Sequence, residues 1–377
     1  MAEANAEPGW DDELDEAATD DQAREWIERE RGDLKGFVKT LSPDDIRSGN
    51  WFETLLAHGL GTYTRKATWA YFQERYKGVP ADGIVEQRIR MAARYAALEG
   101  GLSAGAYTAT IAATIGSVGG ASPATVPAAI GSVMVDVAFI TRLQLRLAWD
   151  IAVLYRVPLD LSDPDDLWKL IRVAFTIKSS EVLREGALKV VPAVLRPVIK
   201  RFYSKGVLTA AKGLPIVGKF LLQRNVIKIG IPLVGIPLSV ILNRYTTLVA
   251  GRHASEVFRD QARIIELAGR LIERSAHPRL TLWVAWLDIS ADGRTGDQEA
   301  LLMRHLVEQA RDRRSVVEDV LASIIDLEHE DVWHRIAVEA GDRSHLLGAA
   351  ESIATVDGPA TSHEKAVIEE LRSRLSA

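Results

Sequence analysis

Two copies of one acidic pattern lie in the last quarter of the chain. Ala291-Asp-Gly-Arg-Thr-Gly-Asp-Gln-Glu299 is answered by Val356-Asp-Gly-Pro-Ala-Thr-Ser-His-Glu364, so Asp292 and Glu299 have counterparts 65 residues later in Asp357 and Glu364. Each Asp-Gly-x5-Glu stretch sits between apolar runs of helical spacing, Leu280–Leu287 and Leu301–Leu306 around the first, Leu346–Ala354 and Val367–Leu371 around the second. The local physics is a helix ending at Asp-Gly, a short turn, and a second helix opening near the Glu. Glycine supplies the left-handed conformation at a helix end, and an acid in the first turn meets the positive end of the next helix. An EF-hand loop is excluded, because its alternating oxygen ligands are missing. Asp288, Asp297 and His363 lie close to the pattern in sequence, and Pro359 makes the second turn differ from the first.

Three other patterns spell chemistry and fail on context. Gly101-Leu-Ser-Ala-Gly105 fits a nucleophile elbow, but it lies in an Ala/Gly-rich stretch with no strand before it. Gly213-Leu-Pro-Ile-Val-Gly-Lys219 nearly spells a phosphate-binding loop, yet Phe220 stands where a Ser or Thr should hold magnesium. His329 and His334 are five apart, one residue too many to share a helix face as zinc ligands. Catalysis is therefore not the favoured reading.

The second large feature is charge. Between Glu185 and Glu256 there is no acidic residue, while Lys189, Arg196, Lys200, Arg201, Lys205, Lys212, Lys219, Arg224, Lys228, Arg244 and Arg252 all fall there. They alternate with Gly/Pro-punctuated apolar segments such as Ile229-Gly-Ile-Pro-Leu-Val-Gly-Ile-Pro-Leu238 in a protein of net charge −5. A cationic, apolar block in an acidic protein suits an anionic lipid surface, with Lys189 to Lys228 as the lipid-facing candidates. Nucleic acid fits less well, because aromatic interleaving is confined to Phe202 and Tyr203 and the Leu/Ile/Val content is high for a solvated groove.

These features need elements to carry them, and the periodicity is helical throughout. The absence of cysteine excludes disulfides and thiolate sites and fits a reducing cytoplasm. Residues 1–21 hold nine acids and no base, so residues 1–34 read as a disordered acidic leader rather than a signal peptide. Apolar spacing from about Leu41, a Gly78-Val-Pro80 turn and a helix from Ile84 to Leu98 with Arg88, Arg90 and Arg94 on its polar side follow. Residues 100–135 are uncharged but rich in Ala and Gly, which predicts two short helices with a bend at Pro123 and Pro127 rather than a bilayer span. Val133–Tyr155 is an apolar helix whose few charges are Asp136, Arg142, Arg146 and Asp150, with Arg146 and Asp150 spaced as an i,i+4 pair. Asp136 reads as a helix N-terminal charge or the partner of a distant arginine, with contact to an ion or a lipid headgroup as the functional alternative. Ser162-Asp-Pro-Asp-Asp166 starts a helix, residues 229–243 form a hairpin-like apolar element, and a helix from Tyr245 to Glu273 closes at His277-Pro278.

The run from the Ala/Gly segment through Gly213-Leu-Pro-Ile-Val-Gly218 and Ile231-Pro-Leu-Val-Gly235 to Asn243-Arg244, Ala254 and Phe258 resembles the EcsC family over roughly residues 80–270. That resemblance implies a helical, membrane-associated cytoplasmic protein without an established catalytic motif. The doubled acidic hairpin resembles the TerB-like family, named for tellurite resistance, over residues 278–377. It implies an all-helical domain whose acidic motifs meet and bind a divalent cation, with Asp292, Glu299, Asp357 and Glu364 as ligands. Such oxygen donors favour Ca²⁺ or Mg²⁺ over zinc. The expectation is thus an all-α protein with a leader (1–34), an EcsC-like module (35–275) and a TerB-like bundle (278–377). It would act as a non-enzymatic bacterial scaffold in an envelope or stress response, peripheral on the inner membrane face, with a protein partner on the TerB-like domain. A metal-assisted enzyme acting on lipid, or an accessory transporter subunit, is the alternative.

Overall fold

The computed structural model describes residues 17–116, 125–176, 217–219, 221, 235–291, 296–314, 329–338 and 344–376. Among these residues the fold is all-α, with no strand. The helices are α1 (Asp20–Thr40), α2 (Pro43–Ser48), α3 (Trp51–Lys66), α4 (Trp69–Arg75), α5 (Ala81–Gly116), α6 (Thr125–Leu154), α7 (Pro164–Ala174), α8 (Gly235–Arg274), α9 (Pro278–Ser290), α10 (Asp297–Arg314), α11 (His329–Val338), α12 (Ser344–Ile353) and α13 (Ser362–Ser376). They form two compact units, residues Met1–Phe258 and Arg259–Ala377.

The first unit is organised around α6, which packs against α1, α3, α4, α5 and α7. Apolar contact accounts for most of the burial: Trp26 of α1 meets Tyr95 of α5 and Phe139 of α6 edge-on, at centroid distances of 5.3 and 6.1 Å. The four charged residues of α6 are nevertheless turned inward, each towards a charge on a neighbouring helix. Arg31 Nη1 of α1 bridges Glu99 Oε1 of α5 at 2.5 Å and Asp136 Oδ1 of α6 at 2.7 Å. Glu30 of α1 pairs with Arg142 and lies 3.7 Å from Arg146. Asp150 takes Arg88 of α5 through Nε at 3.0 Å and Nη2 at 2.6 Å, and accepts a 2.6 Å hydrogen bond from the Tyr63 hydroxyl of α3. Four acids thus face four bases inside the unit.

Several expectations change here. The expectation of disorder over residues 1–34 fails from Asp20 onwards, where α1 begins; residues 1–16 lie outside the described residues. Thr19 and Gln22 close a capping box at its start, and Arg94 donates to Asp20 and to the Ala18 carbonyl. Ala23, Trp26, Ile27, Leu34 and Phe37 then bury one face of a helix whose other face carries charges of both signs. Arg88 is not on a polar face but buried against Asp150, whereas Arg90 stays exposed beside Glu86. Arg146 contributes a nearby positive charge to Asp150, but the direct bond goes to Arg88, whose planar fork reaches the carboxylate from another helix. Residues 100–116 and 125–135 are the ends of two long helices, α5 and α6, rather than two short ones. Residues 235–243 are likewise the start of α8, continuous with the helix expected from Tyr245. The Gly78 turn and the Pro164 helix start form as the sequence predicts, Gly78 at φ 78°.

In the second unit α9 is buried on all sides. One face joins Trp333, Ile336, Leu346 and Leu371; the other joins Ile264, Ala268, Ile272, Leu302 and Leu306. The sequence places a break at 275–278, and a helix does end at Arg274. The compact units divide earlier, inside α8, because Ile264, Ala268 and Ile272 belong to the second core.

Removing Arg88 leaves Asp150 buried beside an apolar partner, which costs about 3–5 kcal/mol of stability. Burial already raises the Asp150 carboxyl above its usual range, and Arg88 opposes that shift. An Arg88→Met variant therefore raises it further. Its folded form keeps the proton to higher pH than the unfolded chain does, so its stability is greatest in acid and falls as pH rises. Denaturant unfolding at several pH values reads this, and the double variant Arg88→Met/Asp150→Leu should recover most of the loss.

Candidate functional site

The two acidic motifs open the second helix of each hairpin, α10 and α13. In the first copy the Glu299 Oε2 accepts a 2.5 Å hydrogen bond from the Gly296 N–H. In the second, Glu364 Oε2 accepts from the Thr361 N–H at 2.5 Å, and the Glu364 N–H donates to Thr361 Oγ1 at 3.3 Å. Both glutamates are thus third-position capping acids, each using one oxygen to hold the start of its helix. The aspartate–glycine pair behaves differently from the expectation. Asp357-Gly358 lies in the loop beyond the end of α12, and Gly358 does not adopt the left-handed conformation. The turn is set instead by Ala354 and Val356, whose N–H groups bond back to Ala350 and Ile353.

The fold brings the copies together. A methyl group placed on Gly296 would lie 3.0 Å from Glu299 Oε2 and 3.5 Å from Asp357 Oδ2, so the aspartate of one motif borders the glutamate of the other. Packing of α9 on α12 produces this meeting. Asp292 lies outside the described residues. His363 is exposed, and the Asp297 side chain is not described.

The strongest member of the cluster is one that the repeat does not contain. Asp288, near the end of α9, is 2% exposed, and neither carboxylate oxygen has a hydrogen-bond partner. Burial and then the charge of Glu364 push its carboxyl up to about 8. The residue 65 positions later is Ile353, so this acid has no counterpart in the second copy. Its signal in the sequence is a single carboxylate in the otherwise apolar run Leu280 to Ile289. A buried acid of this kind takes a proton or a cation. The donor set of Asp288, Glu299, Asp357 and Glu364 has the oxygen chemistry that Ca²⁺ or Mg²⁺ requires. Among the described residues, no three such side chains are arranged to hold a metal ion.

The other expected sites divide cleanly. Lys189, Arg196, Lys200, Arg201, Lys205, Lys212, Arg224 and Lys228 lie outside the described residues. Lys219 is exposed, between buried Val217 and Leu221, and Gly218 lies against the Gly49 carbonyl. The Gly101–Gly105 pattern is inside α5, with no elbow. His334 is exposed on α11. A serine–histidine contact does occur, Ser275 Oγ to His345 Nε2 at 2.9 Å. Ser275 is buried, however, and also accepts from the Thr281 hydroxyl and the His277 N–H. It ties the α8–α9 turn together.

No protein-family profile, no curated protein and no solved structure matches this chain.

Asp288 sets a pH dependence. The ordinary carboxyl value is ~4, and burial beside Glu364 pushes it up to about 8 in the folded unit. Its contribution to stability is therefore present in acid and lost as pH rises between those values. An Asp288→Asn variant should flatten the fall in thermal midpoint between about pH 4 and 8. An unchanged slope would mean that Asp288 is not the titrating group.

Proposed function

We propose that this protein is a non-enzymatic adaptor that binds a divalent cation in its second unit and an anionic membrane surface through its first. The observation that carries the cation reading is Asp288, buried without a hydrogen-bond partner beside Glu364 in the cluster where the two motifs meet. A hard cation would replace the missing hydrogen bonds and offset the repulsion between the carboxylates. Glu299 and Asp357 supply further oxygens at the same end of the unit. The ion would rigidify the loop that joins α12 to α13, and so set the surface offered to a protein partner.

The membrane reading rests on the acid-free stretch from Glu185 to Glu256 and its eleven basic residues. Each base close to an anionic leaflet contributes about 1 kcal/mol, so a handful suffices for salt-sensitive adsorption. Among the described residues, no helix is long and apolar enough to cross a membrane. A scaffold in an envelope or stress response is the role consistent with both activities, on the inner face of the cell membrane.

The cation reading is tested by thermal unfolding of the full chain with millimolar Ca²⁺ or Mg²⁺. Metal binds the deprotonated acid, so the midpoint should rise at pH 8 and hardly at pH 5. Asp288→Asn and Glu364→Gln should each abolish the rise. Equal midpoints with and without either ion at pH 8 would refute the site. The membrane reading is tested by co-sedimentation with vesicles of neutral or anionic lipid at low and high salt. Binding should need anionic lipid and weaken with salt.

A further inference from the structure

Among the described residues, four large hydrophobic side chains are exposed, and three of them share one face of α8. Ile241 is 60%, Tyr245 63% and Val249 38% accessible, spaced four apart along consecutive turns. Arg244 and Arg252 are exposed beside them. The first acid on this face is Glu256, which closes the stripe.

The opposite face of the same helix is fixed in place. Asn243, Thr247, Ala250, Gly251, Ala254 and Phe258 are buried. Asn243 Nδ2 donates to Glu99 Oε2 at 3.0 Å. At Gly251 a Cβ would come within 2.8 Å of Ile89 and 3.0 Å of Leu147, and at Gly100 one would meet the Ser239 carbonyl at 2.8 Å. These close approaches need the missing side chains, so α8 cannot rotate to bury its apolar stripe without losing both contacts and the Asn243 bond. The exposure of Ile241, Tyr245 and Val249 is built into the packing.

We infer that this stripe is the part of the first unit that sinks into the headgroup region of an anionic bilayer, with Arg244 and Arg252 held at phosphate level. The inference rests on the membrane reading and gives that reading a contact surface. Charge complementarity selects the occupant: the rim is cationic, and it lies within the stretch from which acids are absent. An apolar line with a tyrosine and flanking arginines is the pattern of a helix lying in the bilayer interface, the aromatic ring at the boundary and the long basic chains reaching outwards. A protein partner or a second copy of the chain would have to bring acids to meet Arg244 and Arg252.

The chain has no cysteine, so a single label reports without background. Tyr245→Cys and, as a control on exposed Arg90 of α5, Arg90→Cys are each coupled to an environment-sensitive fluorophore and mixed with phosphatidylglycerol or phosphatidylcholine vesicles. The label at 245 should brighten several-fold and shift to the blue with phosphatidylglycerol, while that at 90 stays unchanged. The variant Ile241→Ser/Tyr245→Ser/Val249→Ser, checked for native helicity, should bind phosphatidylglycerol vesicles about tenfold more weakly or less. If the unlabelled wild type binds these vesicles but the 245 label stays silent and the triple variant binds equally well, the stripe is overturned and the membrane reading stands. If the wild type does not bind, both fall. A concentration-dependent dimer in light scattering, lost in the triple variant and unaffected by vesicles, would assign the face to self-association instead and overturn the inference.

Discussion

The first unit depends on the match of buried charges around α6. Four ionisable residues on one apolar helix would be prohibitive if any stayed unpaired, because a lone charge in the interior costs several kcal/mol. Asp136, Arg142, Arg146 and Asp150 are each answered by Glu30, Arg31 or Arg88, from α1 or α5. The match therefore fixes register. Sliding α1 by one turn would withdraw Glu30 and Arg31 from their partners while leaving much of the apolar contact available. Apolar burial supplies the driving force for this unit, and the ionic ladder selects one arrangement of it. The same ladder reaches α8, since Glu99 holds Arg31 with one oxygen and Asn243 with the other.

The second unit solves the opposite problem. Its central helix α9 carries apolar groups on all sides, so it gains by being surrounded, and the helices of both hairpins pack around it. The one carboxylate left within that helix has no arginine to meet. Asp288 instead lies beside the capping acid of the other hairpin, which raises rather than relieves its cost. A residue that destabilises its own unit at neutral pH, at the point where two repeated motifs meet, is the kind of local conflict that functional sites carry.

The helical class, the duplicated hairpin and the starts of α7, α10 and α13 were legible in the chain, and for local reasons. Thr361 to Glu364 and Ser162 to Asp166 are capping patterns that act within one turn, and the apolar spacing of α10, α12 and α13 reports which face needs cover. The functional weight within the acidic cluster was less legible. Asp357 and Glu364 stand out by repetition, whereas Asp288 is unrepeated, and its place in the proposed site rests on its burial and on Glu364. Arg88 misleads in the same way: three arginines at Arg88, Arg90 and Arg94 look alike in sequence, and only the position of Asp150 on another helix separates the buried one.

What the sequence determined by itself was everything that acts over a few residues: helical periodicity, caps, the glycine at the Gly78 turn, and the segregation of charge that leaves residues 186–255 without an acid. What the tertiary structure decided was which charges are paired and which faces are left open. Pairing depends on contacts between residues 62 to 144 positions apart, such as Arg88 with Asp150 and Asn243 with Glu99, and local spacing carries no information about them. The open stripe of α8 has the same origin. Apolar residues occur all around that helix, and the close approaches at Gly100 and Gly251 choose which of them face inward.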